Sequence, residues 1–545
     1  MAKLSDLPPE LVSRIVHLVC YPSGPRLDTM WGIHPNHLPE HFNCSLQPHP
    51  RPHLDRIVYF PQDHPKDYDM HVSWSEGLPA NPLVPLSLVN RAFCQCAQAF
   101  LFNNVDLNST VTARLFLKSL TSIRSQKGTS SHKPQLQLGG NQPKQHGPPR
   151  PLNPLAHHVR SLQFAWTIHC VMEKYEGSIV CEILQSCPCL ENIVISNVSL
   201  LGCKEPILQV LASKPLIKEF VILRNKRSLE NSPAQWQARE VVLRLFSHWN
   251  ALETVEFTDL SGWPDYSSKS ASDLMPMLNC AIRTMILKDQ DLDPLTLANL
   301  LTSCGESMRD LTITGPGDRL HREGLCWILQ ECTSPNLESL TLKSIYWDPP
   351  IHPDPNSENP SFNPALLDIL FNSPTAALKN LKILSFDGRM ATAKLLERLP
   401  QSLVRLSWER CKLPASAFIK ALLLSPKGTQ GSLPNLKCCS CRTRFPWDKQ
   451  DECQVVEALK MEGGCSHSVI HRGWPRITLS EDETTEDDSS SFEDDDSPSE
   501  YNSSDWEHEP SSSDDQHDST SSEHDSSSAS HVSRDGDTSS PPEHD

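Results

Sequence analysis

Residues 308–314 read MRDLTIT and residues 337–343 read LESLTLK, and one spacing of apolar side chains is common to both. Met308, Leu311 and Ile313 occupy the first, fourth and sixth places, as do Leu337, Leu340 and Leu342. The last two of each trio are two residues apart, the period of a strand with one buried face. The same six-residue pattern starts at Val159, Leu190, Ile217, Leu252, Ile282, Leu381 and Leu403, and a degenerate copy reads Leu436-x2-Cys439. The central residues run from Leu162 to Cys439 at intervals of 22 to 44 residues, about 31 on average. The longest interval contains the proline-rich stretch 348–364, which reads as an inserted loop. Between strands lie short apolar stretches at helical spacing: 241–246, 295–301, 365–371 and 417–424. One strand and one short helix bury too little apolar surface alone, but stacked neighbours share a continuous core. The expectation is an α/β fold with a parallel sheet across residues 157–479.

Composition confines that fold to part of the chain. Of 545 residues 38% are hydrophobic and 46 are proline. Residues 480–545 hold 23 Asp or Glu against one basic residue, Arg534, whereas residues 1–479 hold 48 Lys or Arg against 44 Asp or Glu. The overall charge of −18 therefore belongs to a serine-rich tail with too few apolar groups to offset ordering entropy. The near-neutral body argues against strong nucleic-acid binding. No apolar run reaches the ~20 residues that span a bilayer. The first ten residues have no secretory pattern, so the 19 cysteines read as reduced thiols in the cytoplasm or nucleus. Residues 109–156 read as a helix and a disordered linker.

The N-terminal segment is patterned differently. Ser5 or Asp6 caps a predicted helix of about ten residues that starts near Pro8 and carries Leu11, Ile15 and Leu18 on one face. A Pro- and His-rich loop (20–82) follows, and its histidine spacings fit no fixed metal geometry. Helical spacing returns over 85–102 and leads into a strand-like Val105-Asp106-Leu107.

Leu7-Pro8-x-Glu10-Leu11-x3-Ile15 followed by Leu86-x-Leu88-Val89-Asn90-Arg91-x-Phe93-x3-Ala97-Gln98-x2-Leu101-Phe102-x2-Val105-x-Leu107 resembles a fungal-type F-box, with Phe93 where many carry tryptophan. The match is split by the long loop, where most F-boxes have a short turn. The strand pattern downstream resembles the leucine-rich repeats that commonly follow an F-box, though the asparagine of the stricter repeat is mostly missing. The resemblance implies an F-box-like module over 1–108 and an irregular leucine-rich-repeat solenoid. It also implies a substrate-receptor role in a cullin–RING ubiquitin ligase, with a Skp-family adaptor and a cullin scaffold as partners. Adaptor docking would then fall to Leu7, Pro8, Leu11, Ile15, Leu86, Val89 and Phe93. A protein target would lie along the strand residues expected to face solvent: Gln163, Asn192, Lys218, Thr254, Arg283, Arg309, Glu338, Lys382 and Arg405, with Glu256 beside them. The alternative is a repeat scaffold whose N-terminal helices only cap the solenoid.

Catalytic patterns are missing from the sequence, which has no phosphate-cradling glycine loop, no G-x-S-x-G and no H-E-x-x-H. Neither an enzyme nor a cofactor is expected. Cys438, Cys441, Cys465 and His467 raise the question of zinc, but a second close-spaced pair is lacking and buried thiols are the expectation.

Overall fold

A computed structural model describes residues 7–20, 83–122, 153–164, 176–196, 203–223, 236–262, 278–345, 347, 350, 352–372, 378–423, 433–443, 447–461 and 465–470. The chain divides into two units, Met1–Trp474 and Pro475–Asp545, and the second lies outside the described residues. Nearly all of the predicted loop 20–82, most of the predicted linker and the whole acidic tail also fall outside them.

Among the described residues twelve strands form one parallel sheet in strict chain order. They are β1 (Asn104–Leu107), β2 (Ser161–Phe164), β3 (Asn192–Ser196), β4 (Glu219–Leu223), β5 (Thr254–Thr258), β6 (Thr284–Lys288), β7 (Asp310–Thr314), β8 (Ser339–Lys343), β9 (Ile383–Asp387), β10 (Arg405–Glu409), β11 (Cys438–Thr443) and β12 (Cys465–Ile470). Parallel neighbours need a crossover. Most crossovers carry a helix: α4 (Thr110–Thr121), α5 (Glu176–Ser186), α6 (Lys204–Ala212), α7 (Ala238–Val241), α8 (Pro294–Ser303), α9 (Arg322–Trp327), α10 (Leu366–Leu370), α11 (Ala393–Arg398), α12 (Ala415–Leu422) and α13 (Lys449–Met461).

Register explains the sequence pattern. Leu162, Ile193, Phe220, Val255, Met285, Leu311, Leu340, Leu384, Leu406 and Cys439 stand side by side across β2–β11. Each is fully buried, and so are the residues two further on, from Phe164 to Trp408. The first apolar residue of each trio precedes its strand and is buried too, as at Leu337 and Leu381. Two main-chain features repeat with the same register. Ten carbonyls from Asn103 to Val404, one before each strand from β1 to β10, accept two N–H groups apiece from the start of the next strand at 2.6–3.2 Å. Six strands, β5–β10, are followed by a left-handed residue: Asp259, Asp289, Gly315, Ser344, Gly388 and Arg410, with φ from 48° to 90°. That conformation turns the chain while its amide still reaches the next strand, as Gly315 N–H does to Lys343 O at 3.0 Å.

Two separate cores result among the described residues. The larger runs from Leu107, Ala113 and Leu120 through every strand unit to Leu459. The smaller joins α1 (Pro9–Cys20), α2 (Leu83–Leu86) and α3 (Arg91–Leu101) around Val12, Val16, Leu83, Phe93 and Ala97. The boundary falls between neighbours, since Leu101 packs on the small core and Phe102 on the large one. Thus β1 and α4 belong with the sheet, which starts upstream of the expected residue 157. Helix α1 has more apolar surface than one contact face can bury. Its sequence carries two overlapping stripes, Leu11/Ile15/Leu18 and Val12/Val16/Val19. Packing against α3 selects Val12 and Val16, and leaves Leu11 and Leu18 half exposed at 48% and 49%.

Candidate functional site

The outer surface of the small helical module is built by what its core leaves out. Asn90 caps α3 by accepting the Phe93 N–H at 2.9 Å, which fixes the helix start and turns Phe93 inward. Phe93 is then 2% exposed among Val12, Val16, Leu83 and Ala97, so it is core rather than contact surface, a correction to its expected docking role. Leu7, Ile15 and Leu86 are partly buried against the same core. Pro8, Leu11 and Val89 remain exposed. Leu18, Val84 and Leu88 are exposed as well, Leu88 to 81%, although the sequence reading assigned them no contact role. Three short helices cannot enclose both stripes of α1 and the apolar 83–89 segment, and large apolar groups therefore face solvent.

On the sheet, the residues that alternate with the core positions lie on the opposite face. Over β2–β6 this face is covered. Gln163 is 1% and Glu256 2% exposed, and Val194, Val221 and Ile286 in the same register row are buried beside them. The expectation that Gln163 and Glu256 face solvent is therefore corrected, because strand parity fixes which face a side chain takes and not what covers that face. Glu256 instead accepts from Lys288 at 2.9 Å, both side chains being about 95% buried. At the start of the row, Asp106 stands opposite Gln163, and Asp106 Oδ1 and Gln163 Oε1 are buried without a hydrogen-bond partner. Burial raises the Asp106 carboxyl from 3.8 to about 6, partly offset by a hydrogen bond from Gln163.

Over β7–β10 the row is only half buried: Thr312, Thr341, Ser385 and Ser407. The other expected contact residues occupy two positions at the strand starts. Asn192, Thr254 and Arg405 begin strands, while Lys218, Arg283, Arg309, Glu338 and Lys382 lie one residue before them. Lys218, Arg283, Lys382 and Arg405 are exposed and the others partly so. Several are tied to one another: Glu191 accepts from Arg160 at 2.9 Å and Lys218 at 2.7 Å, and Glu338 from Lys382 at 2.8 Å.

The cysteine cluster does not chelate through its close pair. Cys438 and Cys441 are three apart in one strand, so the pleat sends them to opposite faces. Cys441 joins Cys439 in the core, and burial pushes its thiol up to about 12. Cys438 and Ser440 are in register with Cys465 and His467, whose side chains lie outside the described residues. Among the described residues no group of three or more His, Cys, Asp or Glu is placed to hold a metal ion. Nor is any described helix long and apolar enough to cross a membrane.

No known family model matches this chain, and no curated protein matches it.

Proposed function

We propose that the chain is a non-catalytic substrate receptor of a cullin–RING ubiquitin ligase, acting in the cytoplasm or nucleus. In this reading α1–α3 form an F-box that docks a Skp-family adaptor, and the sheet body is a leucine-rich-repeat solenoid that holds a protein target. The observation that carries it is the separate core of the helical module, with Leu11, Leu18, Val84, Leu88 and Val89 exposed around it. A mere end cap would spend its apolar surface on the sheet, whereas here β1 and α4 close that end of the large core. The strict chain order of strands supports the solenoid. Such a subunit contributes proximity, holding a target lysine near the ligase-bound conjugating enzyme.

The test is co-purification of the full chain with adaptor and cullin. Leu11→Ala with Val89→Ala removes exposed apolar groups without touching the small core. Central interface truncations cost ~2 kcal/mol or more each, so adaptor recovery should fall at least about tenfold. Recovery equal to that of the unmodified chain would refute the docking assignment.

A further inference from the structure

Charge within the sheet body is concentrated at one end. Residues 379–444, which contain β9, β10 and β11, hold 13 Lys or Arg and three Asp or Glu. The rest of residues 1–479 holds 35 Lys or Arg against 41 Asp or Glu. The three acids are all close to cations: Asp387 is bound by Arg410, Glu397 by Lys420 at 2.9 Å, and Glu409 neighbours Arg410 in sequence. Three further cations lie on the helical side, where Lys394 bonds Asn356 at 2.7 Å and Arg398 bonds the Asp368 carbonyl at 2.6 Å, with Lys420 on α12.

The remaining described cations are at the strand ends and exposed. Lys379, Lys382, Arg405 and Lys437 stand where β9, β10 and β11 begin, and Arg389, Arg410 and Lys412 where β9 and β10 end. Register brings the first group together, because Arg405 pairs with Ile383 on one side and Cys438 on the other. Between the two cationic edges runs a row of small hydroxyl side chains, Ser385, Ser407 and Ser440, in register and only partly buried. Among the described residues of this segment the large aromatic groups, Phe386, Trp408 and Phe418, are enclosed in the core and offer nucleic-acid bases no platform on which to stack.

We infer that the outer face of β9–β11 is the target-binding surface and that its partner is an acidic, extended polypeptide segment. Carboxylates or phosphorylated hydroxyls would meet the lysines and arginines at both edges, and the backbone between them would meet the serine row. The inference rests on the receptor reading for the word target. The surface and its charge do not.

The test uses the full chain and a fluorescent glutamate- and serine-rich peptide, followed by anisotropy over a salt series. The glutamine analogue of the peptide and a single-stranded oligonucleotide serve as comparisons. Binding of the glutamate peptide should weaken steeply with salt and fall at least about tenfold in Arg405→Glu with Lys437→Glu. Lys420→Glu, on the helical side, should leave it unchanged, and thermal melting verifies that each variant is folded. Equal affinity for the glutamine peptide, insensitivity to the paired reversal, or preference for the oligonucleotide would each overturn the inference. Adaptor recovery from the same samples separates the two ideas. Peptide binding without adaptor would leave this surface standing and sink the receptor reading, and adaptor without peptide would do the reverse.

Discussion

At the scale of single residues, parity was legible in the sequence and cover was not. The alternation in residues 308–314 and 337–343 correctly divides core from non-core side chains, because a strand leaves only two sides to choose between. Gln163 and Glu256 take the non-core side and are nevertheless buried, which no local pattern encodes. Asp106 shows what such burial does. Its carboxyl titrates near 6 in the fold and near 3.8 when unfolded, so the folded chain holds that proton more tightly. The resulting stability is complete below about pH 4 and is lost as pH rises through 6. Asp106→Asn should therefore stabilise the chain by ~1–2 kcal/mol at pH 8, a value reduced for residual solvation, and change little at pH 4. Chemical denaturation at the two pH values checks this, and equal shifts at both would contradict it. The cationic surplus in residues 379–444 was also present in the letters, but averaging charge over the whole body concealed it.

At the scale of elements, strands with two apolar residues at period two were legible and the rest were not. All nine full copies of the pattern, and the degenerate tenth, became β2–β11. The twelfth, CSHSVI, has small and polar residues where the others carry leucine, so nothing in its spacing marks it. In α1 the helical period was clear, but two apolar stripes competed, and only a packing partner decides between them. The turns after β5–β10 share a backbone conformation without sharing a residue type, and so left no motif. Within them Gly315 is the demanding position: at φ +54° an added Cβ would stand 2.5 Å from Asp289 Oδ1. Gly315→Ala should cost ~1–3 kcal/mol, combining left-handed strain with that contact, while Ser344→Gly at the equivalent turn should be neutral or mildly stabilising. Urea midpoints of the two variants test the pair, and equal loss in both would show that the turn conformation is not what matters.

At the scale of the molecule, the sequence indicated a helical N-terminus and a sheet body but misplaced the seam. The F-box resemblance takes in the strand-like 105–107 and so groups it with the helices, yet its hydrogen bonds run to β2 and its side chains to the large core. Deleting residues 1–101 should accordingly leave one cooperative melting transition with an unchanged far-ultraviolet spectrum per strand unit, whereas deletion through residue 121 removes β1 and α4 and should lower the melting temperature by several degrees. A broad, non-cooperative melt after the shorter deletion would mean that α1–α3 help hold the sheet. The doubled carbonyl row has a further consequence. Each acceptor is a main-chain group, set one residue before a strand and indifferent to its side chain, which varies from arginine to glutamate to valine. The joint between any two units is therefore generic. Excising one whole unit, from one such carbonyl to the next, brings together two ends that already fit, so the number of units is a quantity that deletion and duplication can change without inventing a new interface.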